Sequence, residues 1–215
     1  MLLAIHERGP YRRELACDSV LRQKFHMHPI KRIVDLGLCV ALAPLAIPII
    51  LATLPIISLE TRATPLFLQR RVGRNGRPFT IVKLRTMRAT TPDAASHEIG
   101  ASAVTYTGRL LRRTKIDELP QLWNVFVGDM SLVGPRPCLP TQTELIEERA
   151  KLGVLALRPG ITGVGQLAGL DMSQPIALAR ADALYLTEWS LRRDMALLLQ
   201  TALGRGSGDA AAPEL

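Results

Sequence analysis

From Leu36 to Leu59 the chain reads LGLCVALAPLAIPIILATLPIISL, with no charged residue. A helix of ~20 apolar residues is enough to span a bilayer core, so this stretch limits the chain to folds that offer it lipid or a large apolar partner. It carries Pro44, Pro48 and Pro55, and proline inside a helix removes a backbone donor and crowds the preceding turn. Lys31 and Arg32 precede it, while Arg62, Arg70, Arg71 and Arg74 follow it. Cations at both ends favour keeping both ends in the cytoplasm. An arm of ~12 residues at ~1.5 Å per residue reaches ~18 Å, just past the midplane of a ~30 Å core. The expectation is a re-entrant helix–break–helix, bent at Pro44, whose freed backbone groups need partners at the bend. The competing arrangement is a kinked helix that crosses once and leaves residues 60–215 on the far side. A secretory signal is disfavoured by the late start and the missing small-residue cleavage site. Asp35 is expected to pair with Arg32 on the adjacent turn.

Charge narrows the partners. Lys and Arg total 27 against 19 Asp and Glu, a formal charge of +8, which favours an anionic partner. Nucleic acid fits poorly, because only 4% of residues are aromatic and single-strand binders need stacking platforms. Cys17, Cys39 and Cys138 are too far apart for a zinc module and read as incidental thiols. Membrane surface and phosphates remain. Arg8, Arg12, Arg13, Arg22 and Lys24 make residues 1–30 a basic arm or an interfacial helix.

Past the apolar segment, Arg74-Asn75-Gly76 marks a turn between strands expected at Leu66–Gln69 and Phe79–Leu84. Lys83 and Arg85, two apart, would face one side with Thr86 next in line, a pair able to clamp a diphosphate or simply a solvated strand face. Residues 88–103 read as a polar loop and Tyr106–Arg113 as a basic helix. Thr114-x-x-Asp117 fits a capping box. Pro120 suits the first turn of a helix over Gln121–Val127, which leaves the adjacent carboxylates Asp117 and Glu118 at its N-terminus. Amide donors there favour anions and so the ionised carboxylate that a nucleophile or a Mg²⁺ ligand requires. Two Gly/Pro loops, VGPRP with Arg136 and RPGITGVGQ with Arg158 and Gln166, can bring backbone donors close to a ligand. The C-terminal region has helical periodicity in Leu184, Leu191, Met195, Leu198 and Leu199, for packing on the core or on the membrane.

The expected class is α+β: mostly helical, with a short β-hairpin, a re-entrant membrane segment and interfacial amphipathic helices. It divides into a basic arm (1–30), a membrane hairpin (31–60), a catalytic domain (61–204) and a disordered tail (205–215). Carboxylates among convergent cations suit phosphoryl transfer better than hydrolysis. No Ser-His-Asp arrangement is legible, His6, His26, His28 and His97 are expected to be peripheral, and the lack of a P-loop argues against ATP.

Five ordered blocks carry a resemblance: KRIVDLGLCVALAP, QRRVGRNGRPFTIVKLRTM, RRTKIDELPQLWNVFVGDMSLVGPRP, RPGITGVGQ and YLTEWSLRRDM. From Lys31 to about Leu203 the chain resembles the bacterial sugar transferases known as monotopic phosphoglycosyl transferases. The resemblance implies an enzyme on the cytoplasmic face of the inner membrane, held in membrane lipids by a re-entrant helix. It implies transfer of a sugar-1-phosphate from a UDP-sugar to polyprenol (undecaprenyl) phosphate, with Mg²⁺ and with no nucleic-acid partner; a homodimer is left open. Carried over, Asp117 is the nucleophile and a metal ligand, with Glu118 its partner. Lys83, Arg85, Thr86, Arg112, Arg136, Arg158 and Gln166 bind substrate. Ala43-Pro44 stands where Ser-Pro is frequent, and Leu84 where an aromatic residue is common. The competing readings are a non-catalytic scaffold on anionic lipid and a direct one-step transfer. By resemblance the sugar is expected to be N-acetylated and amino-bearing, read by QLAGLDMSQPIALARAD.

Overall fold

The computed structural model describes residues 29–91 and 101–206. The arm before residue 29, the four histidines, Cys17, the middle of the 88–103 loop and the tail after residue 206 lie outside the described residues. The first element, α1 (Pro29–Thr61), is a single helix that runs through Pro44, Pro48 and Pro55. The interruption expected at Pro44 is therefore not a break in the helix. Each proline withholds the one N–H that would reach the carbonyl four residues back, so the loss is confined to the carbonyls of Val40, Pro44 and Leu51.

Both ends of α1 grip the same body. Near its start, Arg32 donates to the carbonyls of Val125 (2.6 Å) and Phe126 (2.9 Å). Asp35 accepts from Ser131 Oγ at 2.8 Å and from the Leu132 amide at 3.3 Å. Its ionic partner is Lys31, 3.9 Å away, and not Arg32, which is drawn off by the two carbonyls. Near the other end, Ile57 is buried with Leu84 and Leu111, and Glu60 Oε1 accepts from the Tyr106 amide at 2.8 Å. Between them Cys39 and Ala46 are buried, whereas Ile33, Val40, Leu45, Leu51 and Leu59 are exposed. The result is an apolar outer face without a protein partner among the described residues.

Strands β1 (Leu66–Val72) and β2 (Pro78–Leu84) form the antiparallel hairpin, joined at Arg74–Gly76. Asn75 takes a left-handed conformation (φ 56°) in the turn, which asparagine tolerates better than most residues. The outer edge of β2 is closed by one side chain from α3 (Gln121–Val127). Asn124 Nδ2 donates to the Thr80 carbonyl at 2.7 Å, and its Oδ1 accepts from the Val82 amide at 3.0 Å. Helix α3 is thereby fixed against β2, and with it the turn that precedes it.

That turn follows α2 (Tyr106–Thr114). Thr114 sits in the last turn of α2 and donates backwards to the carbonyls of Leu110 (2.8 Å) and Leu111 (3.2 Å). The expected capping box is absent because the hydroxyl is already spent on its own helix. Lys115 then adopts φ 57° and ψ 17°; for a residue with a Cβ this left-handed state costs about 1–2 kcal/mol. It reverses the chain into a single 3₁₀ turn, Ile116–Glu118.

A second, parallel pair joins β3 (Ser131–Val133) to β4 (Gly160–Thr162). Their crossing loops touch backbone to backbone: a Cβ on Gly160 would lie 2.1 Å from the Gly134 nitrogen, so glycine is required there. The core runs through Cys39, Ile81, Val125, Met130, Val133, Tyr185 and Leu197, with a smaller cluster at Cys138, Leu145, Leu178 and Ala179. Helices α4 (Thr143–Lys151), α5 (Val164–Leu167), α6 (Pro175–Thr187) and α7 (Leu191–Ala202) complete the described residues. Of the apolar positions expected in the last two, Leu198 packs on the core, but Leu184, Met195 and Leu199 are exposed. Their side chains form the outer face, and Leu178, Tyr185, Leu186 and Leu197 form the buried one. Among the described residues the fold is α+β with one antiparallel hairpin, as expected, and one long apolar helix in place of the expected interrupted one.

Candidate functional site

Asp117 and Glu118 are both buried in the 3₁₀ turn immediately before α3. One strand and one loop bring cations to Glu118. Lys83 Nζ, from β2, lies 3.6 Å from Glu118 Oε1, and Arg136 Nη2, from the VGPRP turn, is also 3.6 Å from that oxygen. Lys83 is itself buried. An ammonium taken out of water needs a partner, and here the partner is the second carboxylate of the pair. The same cleft is lined by Arg71, Gln121 and Ile161. None of those three was singled out from sequence for a ligand. Arg71 reads there as one more flanking cation, yet its place on β1 buries it, donating to the Pro137 carbonyl at 3.1 Å and to Gln69. Gln121 is 2% exposed, and its Nε2 has no hydrogen-bond partner among the described residues. A buried amide donor left open costs about 1–3 kcal/mol, a cost that a bound acceptor would remove.

The remaining expected residues divide. Arg112 Nε donates to Thr86 Oγ1 at 2.9 Å, so these two hold each other at the base of α2. Gly108 presses on the same strand end, where an added Cβ would lie 2.1 Å from the Thr86 carbonyl. Phe67 stands opposite Lys83 in the hairpin register, and the Arg85 guanidinium lies 5.9 Å over its ring. Lys83 and Arg85 thus share a face, as alternation predicts, but Arg85 turns to Thr64, donating to its carbonyl at 2.7 Å. Gln166 is buried on α5 and donates to the Ile161 carbonyl at 3.1 Å, one contact behind the cleft. Arg158 is not in the cluster. It donates from Nε to the Gly128 carbonyl at 2.9 Å and lines a different cavity with Arg32 and Arg74. Burial lowers its pKa, and the neighbouring Arg74 and Arg32 charges lower it further.

Arg136 is held from behind. Arg149, on α4, donates from Nη1 to the Arg136 carbonyl at 2.9 Å. Its Nε and Nη2 meet Asp182 Oδ2 at 3.0 and 2.6 Å. Both side chains of that pair are 3% exposed. Burial raises the Asp182 carboxyl above its usual range, opposed by Arg149.

Beside the polar cleft runs an apolar groove of about 630 Å³. One wall is α1, with Leu38, Leu42, Leu45 and Ile49; the other includes Leu119, Leu122 and Leu198. Arg113 and Lys115 also line it. Cleft and groove share two lining residues, Glu118 and Ile161.

Buried carboxylates beside cations held on Glu118 suit chemistry on phosphorylated groups. The chain belongs to the bacterial sugar transferase family, whose model matches residues 26–205. It is 42% identical over 180 residues to a UDP-glucose:undecaprenyl-phosphate glucose-1-phosphate transferase of Caulobacter vibrioides, covering 80% of this chain and 67% of that protein. It is 35% identical to a UDP-N-acetylgalactosamine-undecaprenyl-phosphate N-acetylgalactosaminephosphotransferase of Aeromonas hydrophila, over 80% of this chain and 42% of that one. A UDP-galactose-lipid carrier transferase of Erwinia amylovora is 31% identical, over 80% and 39%. The chain thus spans less than half the length of the last two.

Proposed function

We propose that the protein transfers a sugar-1-phosphate from a UDP-sugar to polyprenyl phosphate, an early membrane step in building a cell-surface polysaccharide. The observation that carries this reading is the meeting of the polar cleft and the apolar groove at Glu118. A sugar nucleotide suits the cleft, where Lys83, Arg71 and Arg136 face its diphosphate and the open Gln121 amide offers a further donor. The groove suits an isoprenoid chain, with Arg113 and Lys115 near a phosphate head. Two of the relatives' names join a UDP-sugar to undecaprenyl phosphate, and the third joins UDP-galactose to a lipid carrier.

Transfer runs in two displacements. A carboxylate oxygen of Asp117 bonds to the sugar-bearing phosphorus, the bond from that phosphorus to the bridging oxygen breaks, and UMP leaves with the electron pair. An oxygen of polyprenyl phosphate then attacks the same phosphorus and releases the Asp117 carboxylate, giving a polyprenyl diphosphate sugar. Lys83 and Arg136 hold Glu118 where the acceptor phosphate arrives, so Glu118 takes the proton of an acceptor that enters protonated. Fixed cations stabilise charge on the transferring group. No group of three or more His, Cys, Asp or Glu suited to a metal occurs among the described residues. Mg²⁺ needs fewer, since one or two carboxylates plus substrate phosphates and waters suffice. Asp117 fits that role, and the ion would supply further neutralisation of the diphosphate.

The outer face of α1 supports membrane association, with the contacts at both of its ends favouring a re-entrant or surface-lying helix over a crossing one. The sugars in the relatives' names differ, so a panel of UDP-sugars assayed by UMP release identifies the substrate. UMP release without acceptor, and a sugar-phosphate adduct on Asp117, are expected. Full turnover by Asp117→Asn overturns the mechanism. Absence of UMP release with every sugar leaves the lipid scaffold as the better reading.

A further inference from the structure

Arg158 was expected beside the catalytic phosphates, and its actual surroundings pose a separate question. It opens on a cavity of about 50 Å³ that is also lined by Lys31, Arg32, Arg74, Asp35 and Trp189. That cavity shares no lining residue with the catalytic cleft or the apolar groove. Its carboxylate is already engaged: Asp35 accepts from Ser131 and Leu132 and lies beside Lys31. Lys31 in turn donates to Asp194 at 2.7 Å.

Hydrogen bonds to main-chain carbonyls fix the three guanidinium groups in place. Arg32 reaches Val125 and Phe126, Arg158 reaches Gly128, and Arg74 Nε donates to Ala156 at 3.0 Å. Carbonyls orient the Arg32 and Arg158 guanidinium groups but carry no charge to neutralise them. Helix capping explains part of this, since Val125, Phe126 and Gly128 end α3 and cations suit a helix C-terminus. It does not explain the crowding of three like charges into one partly buried cavity. Among the described residues Arg158 donates only from Nε, so its two Nη groups remain for a ligand.

We infer that this cavity is a second anion site, taking a phosphate-class oxyanion between Arg158, Arg74 and Arg32. Guanidinium groups bind phosphate through paired, directional N–H donors. Size selects a small ligand: a water needs roughly 10–15 Å³ of such space, so the cavity admits an oxyanion of a few heavy atoms and excludes a sugar nucleotide. Two sources have this chemistry, free phosphate and an anionic lipid headgroup. Location favours the lipid, because the exposed Ile30 and Ile33 stand on the same end of α1 and Trp189 at the cavity is a residue type enriched at membrane interfaces.

The test uses the full chain in maltoside micelles, which contribute no phosphate, and reads thermal unfolding. Inorganic phosphate at millimolar concentration, or phosphatidylglycerol mixed into the micelle, is expected to raise Tm by about 2–4 °C, with sodium chloride at matched ionic strength giving no such rise. Arg158→Gln and Arg74→Gln are each expected to abolish the rise, while Arg136→Gln, in the catalytic cleft, retains it. A response to phosphatidylglycerol alone identifies a lipid headgroup, and a response to inorganic phosphate identifies a free oxyanion; either supports the site. No rise with either probe overturns it. So does a rise that survives both Arg158→Gln and Arg74→Gln, or one that disappears in Arg136→Gln alone.

Discussion

The pair behind Arg136 gives a prediction that separates stability from catalysis. In Asp182→Ala the Arg149 guanidinium loses its carboxylate while its side chain stays 3% exposed. Removing one partner of a buried ion pair typically costs about 3–5 kcal/mol. For a chain of this length that lowers Tm by roughly 6–20 °C, at about 2–4 °C per kcal/mol. In the double variant Arg149→Met/Asp182→Leu no charge is stranded, so most of that loss should return. Activity should not return with it. The double variant removes Arg149 itself, so the Arg136 carbonyl loses the donor at 2.9 Å, and a misplacement near 1 Å in a catalytic constellation costs about 100-fold. Thermal unfolding in detergent and initial rates of UMP release, measured on the single and the double variant, provide the two readouts. A double variant as unstable as Asp182→Ala refutes the stranded-charge account. A stable double variant with wild-type turnover refutes the claim that Arg149 positions the Arg136 loop.

Three further outcomes follow from particular side chains. Gln121→Leu removes an open buried amide, so it should leave Tm unchanged or raise it while increasing KM for the sugar nucleotide about 10-fold or more, as loss of one hydrogen bond to a charged group would; an unchanged KM excludes the amide from the site. Engineered cysteines at residues 30 and 62 should both label from the cytoplasm alone; periplasmic labelling of residue 62 would establish a crossing helix. Cys138 is 1% exposed and burial pushes its thiol up, so it should resist maleimide at pH 8 in the native protein and react once the chain is unfolded; rapid native labelling would contradict its packing.

Much of the local structure around the candidate site is legible because its signals are local. Pro120 and Gly128 bracket α3 in the sequence, and the helix occupies Gln121–Val127 as they indicate. Adjacent carboxylates on a short turn need no distant partner to be noticed. Lys83 was found through strand alternation, which also places Arg85 on its face. What escaped depends on where remote segments meet. Arg149 and Asp182 are separated by 33 residues, and nothing in the periodicity of either helix announces their pairing. Arg71 looked like one more flanking cation until β1 turned it inward. Arg158 lies apart for another reason: a Gly/Pro loop beside a basic residue marks a ligand site in general, but which cavity it enters depends on how β4 lies against β3. Thr114 shows two local rules competing, and the longer helix won.

The double attachment of α1 bears on kinetics. A helix held at Arg32 and again at Glu60 leaves the catalytic body little freedom to pivot about its anchor. If the apolar outer face lies in a bilayer, the mouth of the groove stays at one fixed height above it, and the acceptor arrives by sideways diffusion within a sheet. In the proposed two-step mechanism, the second displacement would then be governed by acceptor molecules per unit of membrane area. Adding inert lipid at constant total acceptor would slow it, while the first displacement would continue to follow the amount of nucleotide per litre.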